Sequence, residues 1–257
     1  MRSPSADSTA ALIEEAPSRV PSGARVYAVG DIHGRLDLLE QLLAIIGDDV
    51  AAGAPGRPTI VFLGDMIDRG PHSRQVVERI AAGPPAAGPL AGAGWVALVG
   101  NHEDYMLRFL ADPAVAPSWL RNGGLATIRS YAGGDPPGDD PTTLRDTLDR
   151  ALPSDHLRFL GQLPAAHVEG DYLFVHAGVR PGVALARQEC ADLLWIREPF
   201  LGSAEPFGKM VVHGHTVVPE PDIRPNRIAI DTGAWRTGRL TALALEGAER
   251  RFLTATA

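Results

Sequence analysis

Arg25-Val26-Tyr27-Ala28-Val29-Gly30-Asp31-Ile32-His33-Gly34 is the stretch whose reading decides the fold. A β-type run ends in a glycine, and an Asp and a His follow at alternate positions. Alternate residues on an extended segment face the same way, so both side chains can reach one point just past the strand end. The plan recurs along the chain. Thr59-Ile60-Val61-Phe62-Leu63 runs into Gly64-Asp65-Met66-Ile67-Asp68-Arg69-Gly70, and Trp95-Val96-Ala97-Leu98-Val99 runs into Gly100-Asn101-His102-Glu103. Tyr172-Leu173-Phe174-Val175 leads to His176-Ala177-Gly178, and Met210-Val211-Val212 to His213-Gly214-His215-Thr216. Apolar runs that each deliver Asp, Asn or His at the carboxyl end describe one site assembled from several strand ends, the place where α/β sheets put their ligands.

Working outward, Leu36, Leu39, Leu43 and Ile46 recur at helical spacing after the first turn, which makes a β-turn-α unit. Further helices are expected over 73–82 and 103–110. From Asp112 to about Leu163 no strand-like run occurs, and Gly133-Gly134-Asp135-Pro136-Pro137-Gly138 separates helical pieces around 120–131 and 144–160. This reads as a helical insertion beside the site, either shaping substrate access or serving as a plain cap. The last strands, 172–175, 210–212, 227–230 and 240–245, lie close together in sequence, so antiparallel pairing is expected among them.

The chain has 257 residues and is 45% hydrophobic, enough to bury a core. No apolar run approaches the roughly 18 residues that span a bilayer. Residues 1–22, rich in Ser, Ala and Pro, read as a disordered tail without the order of a secretion signal, leaving one domain over 23–257. A single cysteine, Cys190, excludes an internal disulfide and a cysteine-based zinc site. It is expected to be plain packing, and the reducing cytoplasm is the expected location. A net charge of −7 argues against broad nucleic-acid binding. Neither nucleic acid nor a membrane is an expected partner.

The chemistry follows from the donors. Asp31, Asp65, His33, Asn101, His176 and His215 converge if the strands sit side by side. Carboxylates gathered at a partly buried point repel, and each carries a desolvation cost of several kcal/mol. A cation removes both problems. Oxygen and nitrogen donors without thiolate suit Mn, Fe or Zn, and there are too many for one tetrahedral zinc. Two ions bridged by one carboxylate use the full set, and paired ions about 3.5–4 Å apart are the usual device for in-line attack at phosphorus.

Gly-Asp-Ile-His-Gly, Gly-Asp-Met-Ile-Asp-Arg-Gly, Gly-Asn-His-Glu, His-Ala-Gly and Gly-His-Thr, in this order over Val26 to Leu245, resemble the phosphoprotein phosphatase family of calcineurin-like metallophosphoesterases. The stretch from Asn122-Gly123-Gly124 to Ser130-Tyr131 is similar to its small bacterial members. The resemblance implies an α/β fold with a central β-sandwich flanked by helices, and two divalent ions, manganese first, with iron or zinc as alternatives. It implies that Asp31, His33 and Asp65 hold one ion. Asp65 would bridge to a second, completed by Asn101, His176 and His215. It further implies that His102 protonates the leaving alkoxide, that Asp68 holds its imidazole, and that Arg69 and Arg197 grip the phosphate. His213 reads as supporting rather than ligating, and Asp231 as support near the site.

The expected activity is a serine/threonine protein phosphatase acting on a phosphoprotein or phosphopeptide. A symmetrical dinucleoside-tetraphosphate hydrolase is the alternative, and a catalytically dead phosphoprotein-binding scaffold a third reading. That hydrolase typically carries Ala where Asp68 stands here, Asp at Glu103 and Trp at Thr216, so these three positions favour the protein phosphatase.

Overall fold

The structure, a computed structural model, describes residues 17–53 and 56–257. Strand β1 (Arg25–Val29) is followed by helix α1 (Leu36–Ala52), β2 (Pro58–Phe62), α2 (Ser73–Ala81), β3 (Gly94–Ala97) and α3 (Asn101–Ala111). Four helices come next: α4 (Ala116–Arg121), α5 (Gly124–Ala132), α6 (Pro141–Ala151) and α7 (Ser154–Leu160). The remainder runs β4 (Ala166–Glu169), β5 (Tyr172–Val175), α8 (Cys190–Trp195), β6 (Met210–His213), β7 (Asp222–Ile223) and β8 (Arg227–Ala229). It closes with α9 (Ala234–Thr237), β9 (Arg239–Glu246) and β10 (Glu249–Thr256).

The strands form two sheets, ordered β10-β9-β1-β2-β3 and β4-β5-β6-β8-β7. Period-two alternation explains how they stack. Val26 and Ala28 of β1 face the second sheet and pack with Phe174, Val212, Leu243 and Leu245 between the layers. Tyr27 and Val29 face the other way, onto Leu38, Leu39, Leu42 and Ile46 of α1. In the second sheet Tyr172 and Phe174 point inward, whereas Leu173 and Val175 point outward against Ile196 and Phe200. The result is a β-sandwich with helices outside, in the α/β class expected.

Three expectations need correction. The strand ends are not neighbours in one sheet: β1, β2 and β3 are parallel in the first, and β5 and β6 are parallel in the second. Their tips meet because the two layers face each other. The pairing expected among the late strands is wrong as well. β5, β6 and β8 pair in parallel, while β9 crosses to the first sheet and runs antiparallel to β1. The unit expected at 144–160 is two helices, divided at Leu152-Pro153, because a proline cannot donate to the preceding turn.

Residues 1–16 of the expected tail lie outside the described residues. Within the rest of it Val20 is buried and its N–H reaches Gly247 O at 3.0 Å, so the chain is packed before Ser22. Cys190, expected to pack, is exposed at the start of α8. No helix among the described residues is long and apolar enough to cross a membrane.

The turn after β1 is laced to the loop after β2. His33 N donates to Asp65 O at 2.8 Å, Gly34 N to Met66 O at 2.9 Å, and Gly70 N to His33 O at 3.1 Å. The backbones approach so closely that a Cβ on Gly34, whose φ is +65°, would lie 2.6 Å from Gly70 O. Gly34→Ala is expected to destabilise the fold by about 1–3 kcal/mol, since it meets both an unfavourable φ and a backbone atom that cannot yield. Urea unfolding of the purified variant measures this; an unchanged midpoint would show the turn to be slack.

Candidate active site

The five non-glycine residues with positive φ among those described are His33, Asp65, Asp68, Arg69 and His215. Each costs about 1–3 kcal/mol and persists only where its surroundings over-determine it, a condition that concentrates at functional sites. All five belong to the set singled out by sequence.

Asp65 is the centre. It is buried, with Oδ2 3.5 Å from His33 Nε2 and 3.7 Å from His102 Nε2, and Oδ1 3.4 Å from His176 Nε2. Two groups able to grip a cation share it: His33, Asp65 and His102 on one side, and Asp65, His176 and His215 on the other. Asn101 Oδ1 joins the second, 2.8 Å from both His176 Nε2 and His215 Nδ1. Asp31 stands at the end of β1, with Oδ2 accepting His215 N–H at 3.0 Å and Oδ1 buried without a partner. The structure therefore brings together all six predicted donors from both sheets. His102 enters the first triad in geometry, a placement the sequence did not suggest.

These residues fit divalent ions. The N–H donors of His33 and His176 are committed at Nδ1, to Ile67 O at 2.8 Å and Leu63 O at 2.9 Å, which leaves each Nε2 lone pair facing Asp65. Fixing one ring nitrogen on a carbonyl to free the other is how ligating imidazoles are oriented. Burial holds His33 and His176 below the ordinary imidazole value and brings His215 down to about 2, which favours the metal-binding form of each ring. Burial, with Asp231 and Asp65 nearby, pushes the Asp31 carboxyl well up. For Asp65 burial alone would do the same, but the imidazoles of His176, His102, His33 and His215 outweigh it and hold the group below its usual range. Unpartnered Asp31 Oδ1 is a buried acceptor of the kind that a cation satisfies.

Glu103 has a different task. Its carboxylate accepts the N–H groups of Gly100 at 2.8 Å, Asp65 at 2.9 Å and Met66 at 2.8 Å, and so clamps the loop that carries Asp65. Burial and the charge of Asp65 raise it to about 7. Asp231 is buried beside Asp31, accepts Gly233 N–H at 2.9 Å, and is raised by burial to about 6. His213 is buried edge-on to Phe200, and burial lowers it to about 4, consistent with a supporting place.

His102 sits at the start of α3 with Nδ1 2.6 Å from Asp68 Oδ2. Burial would lower its basicity, but Asp65 and Asp68 reverse that and raise it above the ordinary imidazole value. Arg69 donates from Nη1 to His33 Nε2 at 2.8 Å and from Nη2 to His102 Nε2 at 3.1 Å. It would have to release His102 before that nitrogen could carry a proton to a leaving group. Arg69 and Arg197 both line an open cleft of about 530 Å³ that has His215 in its wall. Arg197 is exposed there and has no ion pair with Glu198 among the described residues. Arg121, Asn122, Thr216 and Trp235 also line the cleft, and the Arg69 guanidinium lies 5.2 Å from the Trp235 ring centre. Of these, Arg121 and Trp235 escaped sequence reasoning; an exposed Arg or Trp carries no spacing signal.

Buried oxygen and nitrogen donors at the tips of an α/β sandwich, opening on a cleft with arginines, define a metal-dependent phosphoesterase. The profile of the calcineurin-like phosphoesterase family matches residues 24–238, and the chain belongs to that family. Its sequence is 26% identical to the asymmetrical bis(5'-nucleosyl)-tetraphosphatase of Bacillus thuringiensis (strain Al Hakam), over 84% of this chain and 88% of that one. It is 33% identical to the symmetrical bis(5'-nucleosyl)-tetraphosphatase of Acidovorax ebreus (strain TPSY), across 61% of this chain and only 44% of that protein. A crystal structure whose assignment as a diadenosine tetraphosphatase is provisional superposes with a TM-score of 0.59 at 22% identity, over 93% of this chain and 98% of that one, a likeness of fold.

Proposed function

We propose that the chain hydrolyses dinucleoside polyphosphates with the help of two divalent ions, manganese first among them. The observation that carries this is the cleft. Three arginines, Arg69, Arg121 and Arg197, line it with an exposed Trp235. Guanidinium forks bind phosphoryl oxygens in pairs, so three suit a chain of phosphates better than one isolated phosphate. An indole beside them offers a flat surface to a nucleobase. The curated relatives named above as nucleosyl-tetraphosphatases support the same reading.

The three positions that favoured a protein phosphatase weigh less once placed in the fold. Glu103 is turned onto backbone N–H groups, and Asp68 is wholly buried behind His102, so neither touches what enters the cleft. Only Thr216 lines it. A second reading, the phosphomonoester on Ser or Thr of a protein, keeps one specific observation in its favour. The Asp68–His102 pair at 2.6 Å suits proton delivery to an alkoxide, which a nucleotide leaving group does not need.

In either case Asp31, His33 and Asp65 would hold one ion, and Asp65, Asn101, His176 and His215 the other. Bound there, the ions would supply a water ionised near neutral pH and charge to offset that on phosphorus. Arg69 and Arg197 hold non-bridging phosphoryl oxygens in line with the site. Where the leaving group is an alkoxide, His102 gives its Nε2 proton to the departing oxygen while Asp68 steadies Nδ1.

Turnover of diadenosine tetraphosphate against a phosphoserine peptide, with manganese, tests the choice. A dinucleotide kcat/KM higher by orders of magnitude is expected. The reverse ratio would hand the function to the protein phosphatase, and ATP plus AMP against two ADP would fix the mode of cleavage. Arg197→Ala is expected to raise KM for the dinucleotide about tenfold, the worth of one or two charge-assisted hydrogen bonds, and to change kcat less. Unchanged steady-state constants would return Arg197 to the surface.

A further inference from the structure

We propose that the helical insertion carries two positioning residues for proton transfer, Trp119 and Thr127, which fix the Asp68 carboxylate so that it holds His102 in line. This rests on the assignment of His102 as proton donor, but not on which phosphate ester is cleaved. Asp68 Oδ2, the oxygen that meets His102 Nδ1, also accepts the indole N–H of Trp119 at 2.8 Å. The other oxygen, Oδ1, accepts the hydroxyl proton of Thr127, and the same hydroxyl accepts Asp68 N–H at 2.9 Å. Trp119, Thr127 and Asp68 are all fully buried, so no water competes for these bonds. The carboxylate is thus held at both oxygens by the insertion, leaving one lone-pair direction of Oδ2 for the imidazole.

The backbone is gripped by the same helices. Asp68 and Arg69 have φ of +72° and +67°, a left-handed pair that needs outside support. Gly123, between α4 and α5, accepts Arg69 N–H at 3.3 Å, and a Cβ there would lie 2.8 Å from Arg69 Cγ. Trp119 has no slack either: its ring lies 2.4 Å from where a Cβ on Gly124 would sit. Neither Trp119 nor Thr127 lines the cleft, so both act through Asp68 and His102 rather than on substrate. The insertion is not a detachable lid. Trp119, Ile128, Tyr131, Leu144 and Leu148 belong to the same core as α1 and α2.

The test uses the full manganese-loaded protein with an aryl phosphate, whose leaving group departs unaided, and an alkyl phosphate, whose leaving group needs a proton. Trp119→Phe keeps the ring and deletes the N–H; Thr127→Val keeps the shape and deletes the hydroxyl. In each variant alkyl turnover is expected to fall about tenfold more than aryl turnover, a fraction of what a positioned acid contributes. Bound metal should stay at the wild-type level, and Thr127→Ser should restore the ratio. Placed in a His102→Asn background, neither substitution should change the ratio further.

Equal slowing of both esters, or an effect that survives in the His102→Asn background, would overturn the proposal. The unfolding midpoint is recorded for each protein, and Thr127→Val carries the decision if Trp119→Phe does not fold. The premise fails separately: His102→Asn itself would then slow both esters alike. If His102→Asn is selective and Trp119→Phe and Thr127→Val are not, only the positioning claim falls.

Discussion

Asp65→Asn is expected to leave the purified protein short of divalent metal and to lower phosphoester turnover by on the order of 10³-fold, since losing the ions removes several kcal/mol of transition-state charge stabilisation. The reason is position. Asp65 is common to both donor triads, its Oδ2 turned to His33 at 3.5 Å and its Oδ1 to His176 at 3.4 Å. No other carboxylate among the described residues belongs to both. An amide keeps the shape and can still accept His102 N–H, a bond of 3.1 Å to Oδ1 here, so the fold should persist. What it lacks is the charge, and it places an NH₂ where one ion would coordinate. Metal content by elemental analysis, with unfolding measured alongside, separates a lost ligand from a lost fold. A variant that retains a full complement of metal would show that the ions, if bound, do not share this group.

Much of this centre was legible before any coordinates. A glycine after a β-run frees the backbone for a sharp turn, and Asp or His just beyond it has little reason to be there except to meet something; five repetitions made the convergence predictable. The division into two sheets was not. Tyr172 and Phe174 face one side of β5, Leu173 and Val175 the other, and all are buried, so the alternation that would mark a solvent face is missing. Such a strand announces burial but not its neighbour.

The support behind Asp68 was hidden for another reason. Trp119 and Thr127 reach it from 51 and 59 residues away, and a Trp on a helix reads as core until its N–H is seen to have a charged partner. The resemblance named the parts that handle phosphate but was read toward protein substrates. The cleft residues that bear on the substrate, Arg121 and Trp235, fall outside every motif quoted.

His102→Asn tests the remaining step. Asn at this position keeps a polar group at the start of α3 but cannot carry a proton to a leaving oxygen, so bound metal should match wild type. Alkyl phosphates, whose alkoxides depart poorly, are expected to slow by about 10²–10⁴-fold, the usual contribution of a positioned acid. Aryl phosphates should slow far less, and diadenosine tetraphosphate least, because a nucleotide leaves as a stable anion. The pH dependence carries its own sign. His102 is buried, which alone would lower it, yet Asp65 and Asp68 raise it above the ordinary imidazole value. Its proton is therefore kept to higher pH than on an ordinary imidazole, and alkyl turnover should decline as pH rises past that raised value. In His102→Asn this alkaline decline should disappear for alkyl esters. If it persists, or if alkyl and aryl esters slow alike, the imidazole is holding Asp65 or the phosphate rather than delivering a proton, and the acid must be sought in another group.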